Sequence, residues 1–393
     1  MESVASARVR QLSAGIFAEL AARKRQALER GVDVIDLSIG SPDLPPPPWV
    51  MEELAQSSRD PGNYGYTVSA SAEFRRAVSE FYQTRYGVAL DPERQVVQVM
   101  GSQEGLTHLA WALLDPGDLV LVPDPGYPIY EASVRIAGGE VFPMPLRPEN
   151  GYLPDLGRIP EEIARRAKMM ILNYPGNPLP VLGTDTFFSE VVQFAKRNGI
   201  LVVHDFAYSE LVFDGHRAPS FLSVPGAMEV GIESNSLSKT FSMAGCRIGY
   251  MVGNEHVLRA LSTLKSHIDF GVFAPIERAA VRALRAPAGS LETHARLYQE
   301  RRDALVRSFA AAGWHVPSPP ATMFAWAPIP VPGSARTFAI DLMEHTGVAV
   351  TPGDAFGRQG EGYVRIALVQ PADRLEEAAR RISAYLAHRR AAG

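Results

Sequence analysis

Apolar residues recur along the chain in two alternating patterns. Between about residue 95 and residue 252, short apolar runs typical of buried strands alternate with segments whose apolar residues recur at helical spacing. The run at residues 200–204 is almost continuously apolar, as strands of parallel sheets are. The alternation predicts an α/β fold, a mainly parallel sheet covered by helices on both faces, with ligands bound beyond the carboxyl ends of the strands. Predicted strands of this sheet are 95–100, 119–123, 140–146, 169–173, 200–204, 230–233 and 248–252, and predicted helices between them are 103–114, 127–137 and 187–197.

The segments on either side of this region have a different pattern. Residues 8–30 show helical spacing ended by Gly31, residues 33–40 predict a strand, and the four prolines at 45–48 predict an extended polyproline segment. After residue 254 long helices follow, including one over 291–312, and then a smaller mixed unit. That unit has predicted strands at 323–327, 348–350 and 363–369 and helices at 335–345 and 371–388. We therefore expect three parts: an N-terminal arm and helix over 1–48 beside the small unit, a large domain over 49–290, and a small α+β domain over 291–393.

Composition and charge exclude several classes of protein. Hydrophobic residues make up 46% and charged residues 21% of the chain, which is typical of a soluble globular protein. A net charge of -4 provides no basic surface for nucleic acid or anionic membrane. No apolar run is long enough to span a bilayer, and the N-terminus lacks the apolar segment of a signal peptide. The single cysteine, Cys246, excludes an internal disulfide. We expect a cytoplasmic protein without a metal site.

The most informative stretch is 233–250, which contains a lysine surrounded by small hydroxyl residues. Lys239 lies between Ser238 and Thr240, Ser236 precedes them, and Arg247 follows eight residues after the lysine. Hydroxyls and a guanidinium together suit a phosphate group, and a lysine beside a bound phosphate can form a Schiff base with an aldehyde of the same ligand. This combination indicates pyridoxal phosphate chemistry. A Ser/Thr-rich loop with an ordinary surface lysine is the alternative.

Further polar residues follow the predicted strands, beginning with two near the start of the sheet. Ser102 and Gln103 come directly after the first strand, where the backbone N–H groups of a helix N-terminus can bind phosphate. Tyr127 follows the next strand within a Pro-Gly-Tyr-Pro sequence, where its ring can lie over a flat cofactor. The alternative for Ser102 and Gln103 is that they form an ordinary strand-to-helix turn without a ligand. The alternative for Tyr127 is that its ring packs in the hydrophobic core.

Three polar residues follow later strands. Asn177 is flanked by prolines that hold its amide out of the turn, although a plain Asx turn is the alternative. Asp205 ends the apolar strand 200–204, where a carboxylate needs a partner. A protonated pyridine nitrogen would be such a partner, and the Tyr208 hydroxyl could then reach the phenolic oxygen of the same ring. An ion pair between Asp205 and an arginine is the alternative.

Arg365 lies in the middle of the apolar strand 363–369. An unpaired guanidinium would be costly there, and its planar fork suits a carboxylate bound through two hydrogen bonds. The sequence leaves two partners open, a substrate carboxylate and a structural salt bridge within the chain.

Taken together, these motifs resemble the fold-type I, class I/II pyridoxal-phosphate aminotransferases over essentially the whole chain. The resemblance is carried by S-L-S-K-T-F-S-M-A-G-C-R-I-G at 236–249, D-F-A-Y at 205–208 and N-Y-P-G-N-P at 173–178, in the order and spacing of that family. It implies a large doubly wound, mainly parallel sheet domain, a smaller α+β domain, and pyridoxal 5'-phosphate as cofactor.

The resemblance also implies a role for individual residues. Lys239 looks like the lysine that forms the Schiff base and transfers the proton, Asp205 the partner of the pyridinium nitrogen, and Arg365 the residue that binds the substrate α-carboxylate beside the Gly40 backbone. Asn177 and Tyr208 would bond the phenolic oxygen of the ring. The remaining cofactor contacts implied are Tyr127 stacked on the ring and Ser102, Gln103, Ser236, Ser238 and Arg247 around the phosphate. Tyr66 would reach the cofactor of a neighbouring subunit, which implies a homodimer with shared sites.

Within the family the chain is most similar to a branch of LL-diaminopimelate and alanine (glutamate–pyruvate) aminotransferases. Segments such as G-S-Q-E-G-L at 101–106 and V-P-D-P-G-Y-P-I-Y at 122–130 carry this likeness. Gln103 departs from it, because this branch usually has lysine there. The expected reaction moves an amino group between an L-amino acid and a 2-oxo acid, with LL-diaminopimelate as the first candidate donor. Alanine or aspartate aminotransferases, and a pyridoxal-phosphate lyase that cleaves a C–S bond at the β-carbon, are the alternatives.

Overall fold

The computed structural model of the chain describes residues 4–12, 15–287 and 289–392. Its strands are β1 (Ile35–Asp36), β2 (Val96–Val99), β3 (Leu119–Asp124), β4 (Glu140–Pro145), β5 (Ala167–Leu172), β6 (Leu201–Asp205), β7 (Gly231–Ser236), β8 (Gly249–Gly253), β9 (Phe324–Pro328), β10 (Val348–Ala349), β11 (Thr351–Pro352) and β12 (Tyr363–Ala367). Its helices are α1 (Ala7–Arg10), α2 (Gly15–Glu29), α3 (Pro48–Ser57), α4 (Ala72–Tyr86), α5 (Ser102–Leu113), α6 (Ile129–Ala137), α7 (Glu161–Arg166), α8 (Asp185–Asn198), α9 (Ala227–Val230), α10 (Leu237–Thr240), α11 (Glu255–Lys265), α12 (Ala274–Leu284), α13 (Ser290–Ala311), α14 (Ala335–Thr346) and α15 (Ala372–Ala392). Within these described ranges no helix combines the length and the apolar character needed to cross a bilayer.

A seven-stranded sheet forms the centre of the larger part of the chain. Its strand order is β2-β8-β7-β6-β5-β3-β4, and all neighbouring pairs that do not involve β8 are parallel. The run 248–252 was predicted as one more strand of the parallel series, but β8 runs antiparallel to both β7 and β2. The connection from β7 contains only the one-turn helix α10 and a short 3-10 turn, and parallel strands need a longer crossover.

Side chains alternate between the two faces of the sheet and build two separate cores. On β5, Met170 and Leu172 lie in one core with residues of α4, α8 and α12, whereas Met169 and Ile171 lie in the other core with residues of α5, α6 and α11. This period-two alternation explains why the strand runs are apolar throughout, since both faces are buried. The expectation of an α/β fold with helices on both faces is confirmed.

A further hydrophobic core occupies the C-terminal part of the chain. It joins Trp314, Leu342 and Ile382 with Ile35 and Leu37 of the N-terminal segment. Here β9, β12 and β11 form an antiparallel sheet, and β1 pairs in parallel with β10. The N-terminal segment thus lies against the C-terminal unit, while the division of the chain into domains at residue 290 stays a prediction.

Two predictions for the N-terminal segment were wrong. The expected strand at 33–40 is limited to Ile35–Asp36, because only these two residues find a strand partner, at Val348 and Ala349. Pro48 was predicted to be extended, but it is the first residue of α3. Proline is favourable at a first helical position, where its missing N–H would have had no partner. The predicted helix 8–30 appears as α1 and α2, and residues 13 and 14 between them lie outside the described residues.

Candidate active site

The predicted site residues meet in one cavity of about 730 Å³. The cavity lies beyond the carboxyl ends of β3, β5, β6 and β7, where parallel strands bring separate loops to one edge of the sheet. Residues of the segment after β1 and Arg365 on β12 form its other wall. The predicted residues that line it are Gly40, Ser102, Gln103, Tyr127, Asn177, Asp205, Tyr208, Ser236, Ser238, Lys239, Arg247 and Arg365.

Lys239 lies on α10, directly after β7. The Ser236 hydroxyl caps this turn by accepting a hydrogen bond from the Ser238 N–H at 3.1 Å. The Lys239 ammonium donates to the Gly40 carbonyl at 2.5 Å and lies 6.0 Å from the centre of the Tyr208 ring. Burial lowers the pKa of Lys239 to about 8, and the positive charges of Arg365 and Arg247 add to the effect. An amine with such a pKa is available as a nucleophile and base near neutral pH.

The lowered pKa predicts when Lys239 reacts. An amine attacks an aldehyde only in its uncharged form, so the labelling rate of Lys239 should rise with a midpoint near pH 8. The labelling rate of ordinary lysines, which have a pKa of about 10.4, should still increase above that pH. The apoprotein can be labelled reductively with pyridoxal phosphate at a series of pH values. Peptide mapping of each sample then measures the labelling of Lys239 and of the other lysines in one digest. A Lys239 midpoint close to that of the other lysines would contradict the prediction.

An anion-binding arrangement surrounds the start of α5. Gly101 has a φ of +82°, and a Cβ built on it would lie 2.6 Å from the Nη2 atom of Arg247. Any larger residue would therefore displace the guanidinium from the helix N-terminus at Ser102. The same cavity is lined by the N–H groups of the first turn of α5, by the Arg247 guanidinium and by the hydroxyls of Ser236 and Ser238. These donors suit a phosphate group.

Asp205, at the end of β6, is a buried carboxylate that forms no ion pair with any described residue. It is only 5% exposed, and it accepts hydrogen bonds from the Tyr130 hydroxyl at 2.8 Å and from the Ala207 N–H at 3.3 Å. Burial raises its pKa, which the hydrogen bond from Tyr130 partly offsets. Among the described residues no arginine or lysine forms an ion pair with it, so the alternative of a structural Asp–Arg pair is wrong. Within the described ranges this carboxylate is therefore held by neutral donors alone.

The cavity also contains two tyrosines with different surroundings. The Tyr127 hydroxyl donates to the Gln103 side chain at 2.8 Å, which fixes the ring beside the N-terminus of α5. Tyr208 is 6% exposed, and its hydroxyl has no hydrogen-bond partner within the described part of the chain. Burial raises the pKa of both hydroxyls, so each stays protonated and able to donate.

Arg365 is a buried guanidinium that pairs with no carboxylate of the described chain. Its guanidinium donates to the Asn177 side-chain oxygen at 2.8 Å and to the Ser38 carbonyl at 2.7 Å. Its Nε atom is buried and has no partner in the described ranges, and the ring centres of Phe324 and Phe356 lie within 5 Å of its Cζ atom. Burial lowers its pKa to about 10. No acidic side chain of the described chain pairs with it, so the salt-bridge alternative is wrong, and the guanidinium remains available for an anion in the cavity.

Several residues of the site carried no recognisable sequence signal. Tyr130 holds Asp205 but resembles any buried aromatic on an amphipathic helix. Asn173 donates to the Asp205 carbonyl at 2.7 Å and accepts from the Asn177 N–H at 2.8 Å. The other cavity residues that the sequence did not indicate include Leu20, Ala21, Lys24, Ser38 and Thr351.

Tyr66 lies outside this cavity. It is 86% exposed, and its ring contacts that of Phe270 at 5.1 Å between centroids. The expectation for Tyr66 concerned the site of a neighbouring subunit, and it stays a prediction.

Comparisons with known proteins agree on one family. The profile of the family described as aminotransferase class I and II matches residues 32–382. An LL-diaminopimelate aminotransferase of Moorella thermoacetica is 47% identical over 96% of this chain and 97% of its own length. A substrate-bound BacF structure from Bacillus subtilis is 36% identical with a TM-score of 0.94, covering 98% of each chain. A probable N-succinyldiaminopimelate aminotransferase from Thermus thermophilus is 41% identical with a TM-score of 0.89, covering 94% of this chain and all of that one.

Proposed function

This chain belongs to the aminotransferase class I and II family, and from that premise we propose that it transfers the amino group of LL-diaminopimelate to a 2-oxo acid. It is a transaminase that uses pyridoxal phosphate. The expected amino acceptor is 2-oxoglutarate. The proposal for the donor is supported by curated relatives that are 40–47% identical over nearly the whole chain and carry the name LL-diaminopimelate aminotransferase.

The cavity fits the cofactor at both of its ends. The Arg247 guanidinium, packed closely against Gly101, and the N-terminus of α5 have the donors that a phosphate requires. At the other end, the buried carboxylate of Asp205 lacks the cation that a protonated ring nitrogen would provide. We propose that the cofactor is held by Ser102, Gln103, Tyr127, Asn177, Asp205, Tyr208, Ser236, Ser238, Lys239 and Arg247.

Three residues of the chain would then divide the chemical work. When bound, pyridoxal phosphate supplies an electron sink that stabilises negative charge at the substrate α-carbon. The Nζ atom of Lys239, with its pKa near 8, is suited to accept and return the α-proton. Asp205 would hold a proton on the ring nitrogen, and Tyr208 would donate from its hydroxyl. All three line the same cavity, and the burial of Asp205 and Tyr208 strengthens their electrostatic interactions with groups in it.

The observation that carries the proposed reaction is the buried guanidinium of Arg365. Only neutral oxygen atoms of Asn177, Ser38 and Thr351 accept its hydrogen bonds among the described residues. A substrate α-carboxylate would provide the missing anion, and it would then lie in the cavity that contains Lys239. Amino acids and 2-oxo acids both have this carboxylate, so a single arginine can orient the donor and the acceptor.

Replacing Arg365 by lysine tests this role. A lysine keeps the charge but loses the planar fork, so kcat/KM for the amino donor should fall on the order of 10²-fold. Arg302→Lys is the matched control, because Arg302 is equally buried but pairs with Asp214 at 2.8 Å. We expect the control to change thermal stability and to leave kcat/KM within about threefold. Near-normal kcat/KM in Arg365→Lys would contradict the role.

Product analysis tests the proposed reaction itself. The purified protein with pyridoxal phosphate, LL-diaminopimelate and 2-oxoglutarate should form glutamate in a one-to-one ratio with the donor consumed. Pyruvate and ammonia released from a cysteine S-conjugate, without a new amino acid, would instead identify the β-lyase of the alternative interpretation. The 41% identity to a probable N-succinyldiaminopimelate aminotransferase favours N-succinyl-LL-diaminopimelate as a second candidate donor for the same assay.

We also propose that the protein is a homodimer with shared active sites. Aromatic side chains of two segments lie exposed together: Tyr64 packs on Phe273, and Tyr66 packs on Phe270, with centroid distances of 5.2 and 5.1 Å. An exposed aromatic patch of this kind supports a protein interface. Light scattering should give the mass of two chains, and Tyr66→Phe should weaken cofactor retention. A monomer with full activity would overturn the proposal.

A further inference from the structure

One cation of the cavity has no part in the chemistry described above. Lys24 lies on α2, and Leu20 and Ala21, about one turn before it on the same helix, line the cavity with it. Residues four apart share one helix face, so this face of α2 forms a wall of the active site. The wall is apolar at Leu20 and Ala21, and Lys24 is its charged residue.

The ammonium of Lys24 is held in place by two acceptors of the N-terminal segment. It donates to Asp36 at 2.7 Å and to the Ser38 hydroxyl at 3.2 Å. An ammonium has three N–H donors, so these two bonds leave one N–H of a residue that lines the cavity. The carbonyl of the same Ser38 accepts from Arg365 at 2.7 Å. Ser38 therefore links two cations, and a ligand bound between them would be anchored at both ends.

We propose that Lys24 binds the second carboxylate of a dicarboxylic amino donor whose α-carboxylate is bound by Arg365. This inference rests on the proposed function, and it assigns the far end of the substrate. The methylene groups of such a donor would lie along Leu20 and Ala21, and its terminal carboxylate would meet the remaining N–H of Lys24. The substrate class is a 2-amino acid with a second carboxylate at the end of an unbranched chain, which includes LL-diaminopimelate and its N-succinyl derivative.

A purely structural role for Lys24 is the competing explanation. The pair of Lys24 and Asp36 joins α2 to the segment that contains Ser38 and Gly40, and it could serve only to hold that segment over the cavity. The two explanations differ in which substrates are affected. Displacement of the segment would weaken the binding of every donor, because the Ser38 carbonyl accepts a hydrogen bond from Arg365. Loss of a binding group would weaken the binding of only those donors that reach it.

The experiment compares donors in the holoenzyme of Lys24→Met, Lys24→Arg and wild type. Methionine keeps much of the apolar stem and removes the charge. The donors are LL-diaminopimelate, 2-aminopimelate, which keeps the second carboxylate but lacks the second amino group, and L-lysine, which lacks the second carboxylate. Arg23→Met is the matched control, because the neighbouring Arg23 bonds Glu19 and Glu344 and does not line the cavity.

We expect Lys24→Met to raise KM for LL-diaminopimelate and for 2-aminopimelate by roughly tenfold relative to KM for L-lysine, with little change in kcat. In Lys24→Arg the KM values for the dicarboxylic donors, relative to KM for L-lysine, should return most of the way to those of wild type. Arg23→Met should leave these KM ratios unchanged. Equal changes for all three donors would overturn the inference in favour of a structural role. If wild type rejects LL-diaminopimelate but accepts 2-aminopimelate, the proposed donor is wrong. The ratio of KM for 2-aminopimelate to KM for L-lysine then still tests the role of Lys24. If wild type accepts neither dicarboxylic donor, the inference is overturned with the proposed substrate.

Discussion

The Lys239→Ala variant should lose transaminase activity on the order of 10⁴-fold and still bind pyridoxal phosphate. The loss would follow from removing the amine that we propose both joins the cofactor and transfers the α-proton, and a positioned acid–base group alone contributes up to about 10⁴-fold. Binding should survive because Ser102 and Arg247, the proposed phosphate ligands, and the carboxylate of Asp205 remain in the cavity. Steady-state assays and equilibrium dialysis of the cofactor measure the two quantities.

A small external amine provides the control for this variant. Removing the Lys239 side chain opens space beside the Gly40 carbonyl, so methylamine should enter and restore part of the proton transfer. Rescue that follows the concentration of the uncharged amine would identify proton transfer as the lost step. Activity within about tenfold of wild type in Lys239→Ala without added amine would contradict the assignment.

The Asp205→Ala variant should show the second largest effect, a fall in kcat of roughly 10³-fold. In the role proposed for it, the buried carboxylate of Asp205 would keep the ring nitrogen protonated, and a methyl group cannot do so. Tyr130→Phe is the graded control, because it removes one hydrogen bond to Asp205 and leaves the carboxylate. We expect it to lower kcat by about tenfold or less. Full activity in Asp205→Ala would refute the role.

The same carboxylate should reduce the stability of the apoprotein. Because burial raises its pKa in the folded state, the folded protein retains a proton that the unfolded chain has already released. Stability from this group is therefore lost as pH rises above the ordinary carboxyl pKa of about 3.9. The apoprotein of Asp205→Asn should be at least as stable as wild type at pH 8, while its activity falls. A clear loss of stability would show that Asp205 has a mainly structural role.

Residues at strand ends were the part of the site that the sequence revealed most clearly. Asp205 was recognisable because a polar residue directly after a buried strand has a fixed position at one edge of a parallel sheet. Asn177 was recognisable because prolines on either side fix its backbone in the loop after such a strand. Arg365 was recognisable for the opposite reason, since a guanidinium inside an apolar strand requires a partner. The cavity contains all three.

The remaining features depend on contacts between distant segments, which local patterns do not encode. Tyr130 and Thr351 lie in ordinary surroundings of sequence and become part of the site only through Asp205 and Arg365. Lys24 looks like any charged residue of an amphipathic helix until α2 is placed over the cavity. The direction of β8 was missed for a related reason, because an apolar run predicts a strand and does not predict its orientation.

The most direct test of the account is a half-reaction with single amino acids. The holoenzyme would be mixed with LL-diaminopimelate, alanine, aspartate, glutamate, a branched and an aromatic amino acid in turn, without an acceptor. The long-wavelength absorbance of the lysine-bound cofactor and the oxo acid formed per site are then followed. We predict rapid loss of absorbance with LL-diaminopimelate and glutamate and slow loss with alanine. Rapid loss with alanine and glutamate alone would contradict the proposed substrate, and absence of the absorbance band after addition of pyridoxal phosphate would contradict the role of Lys239 and the account built on it.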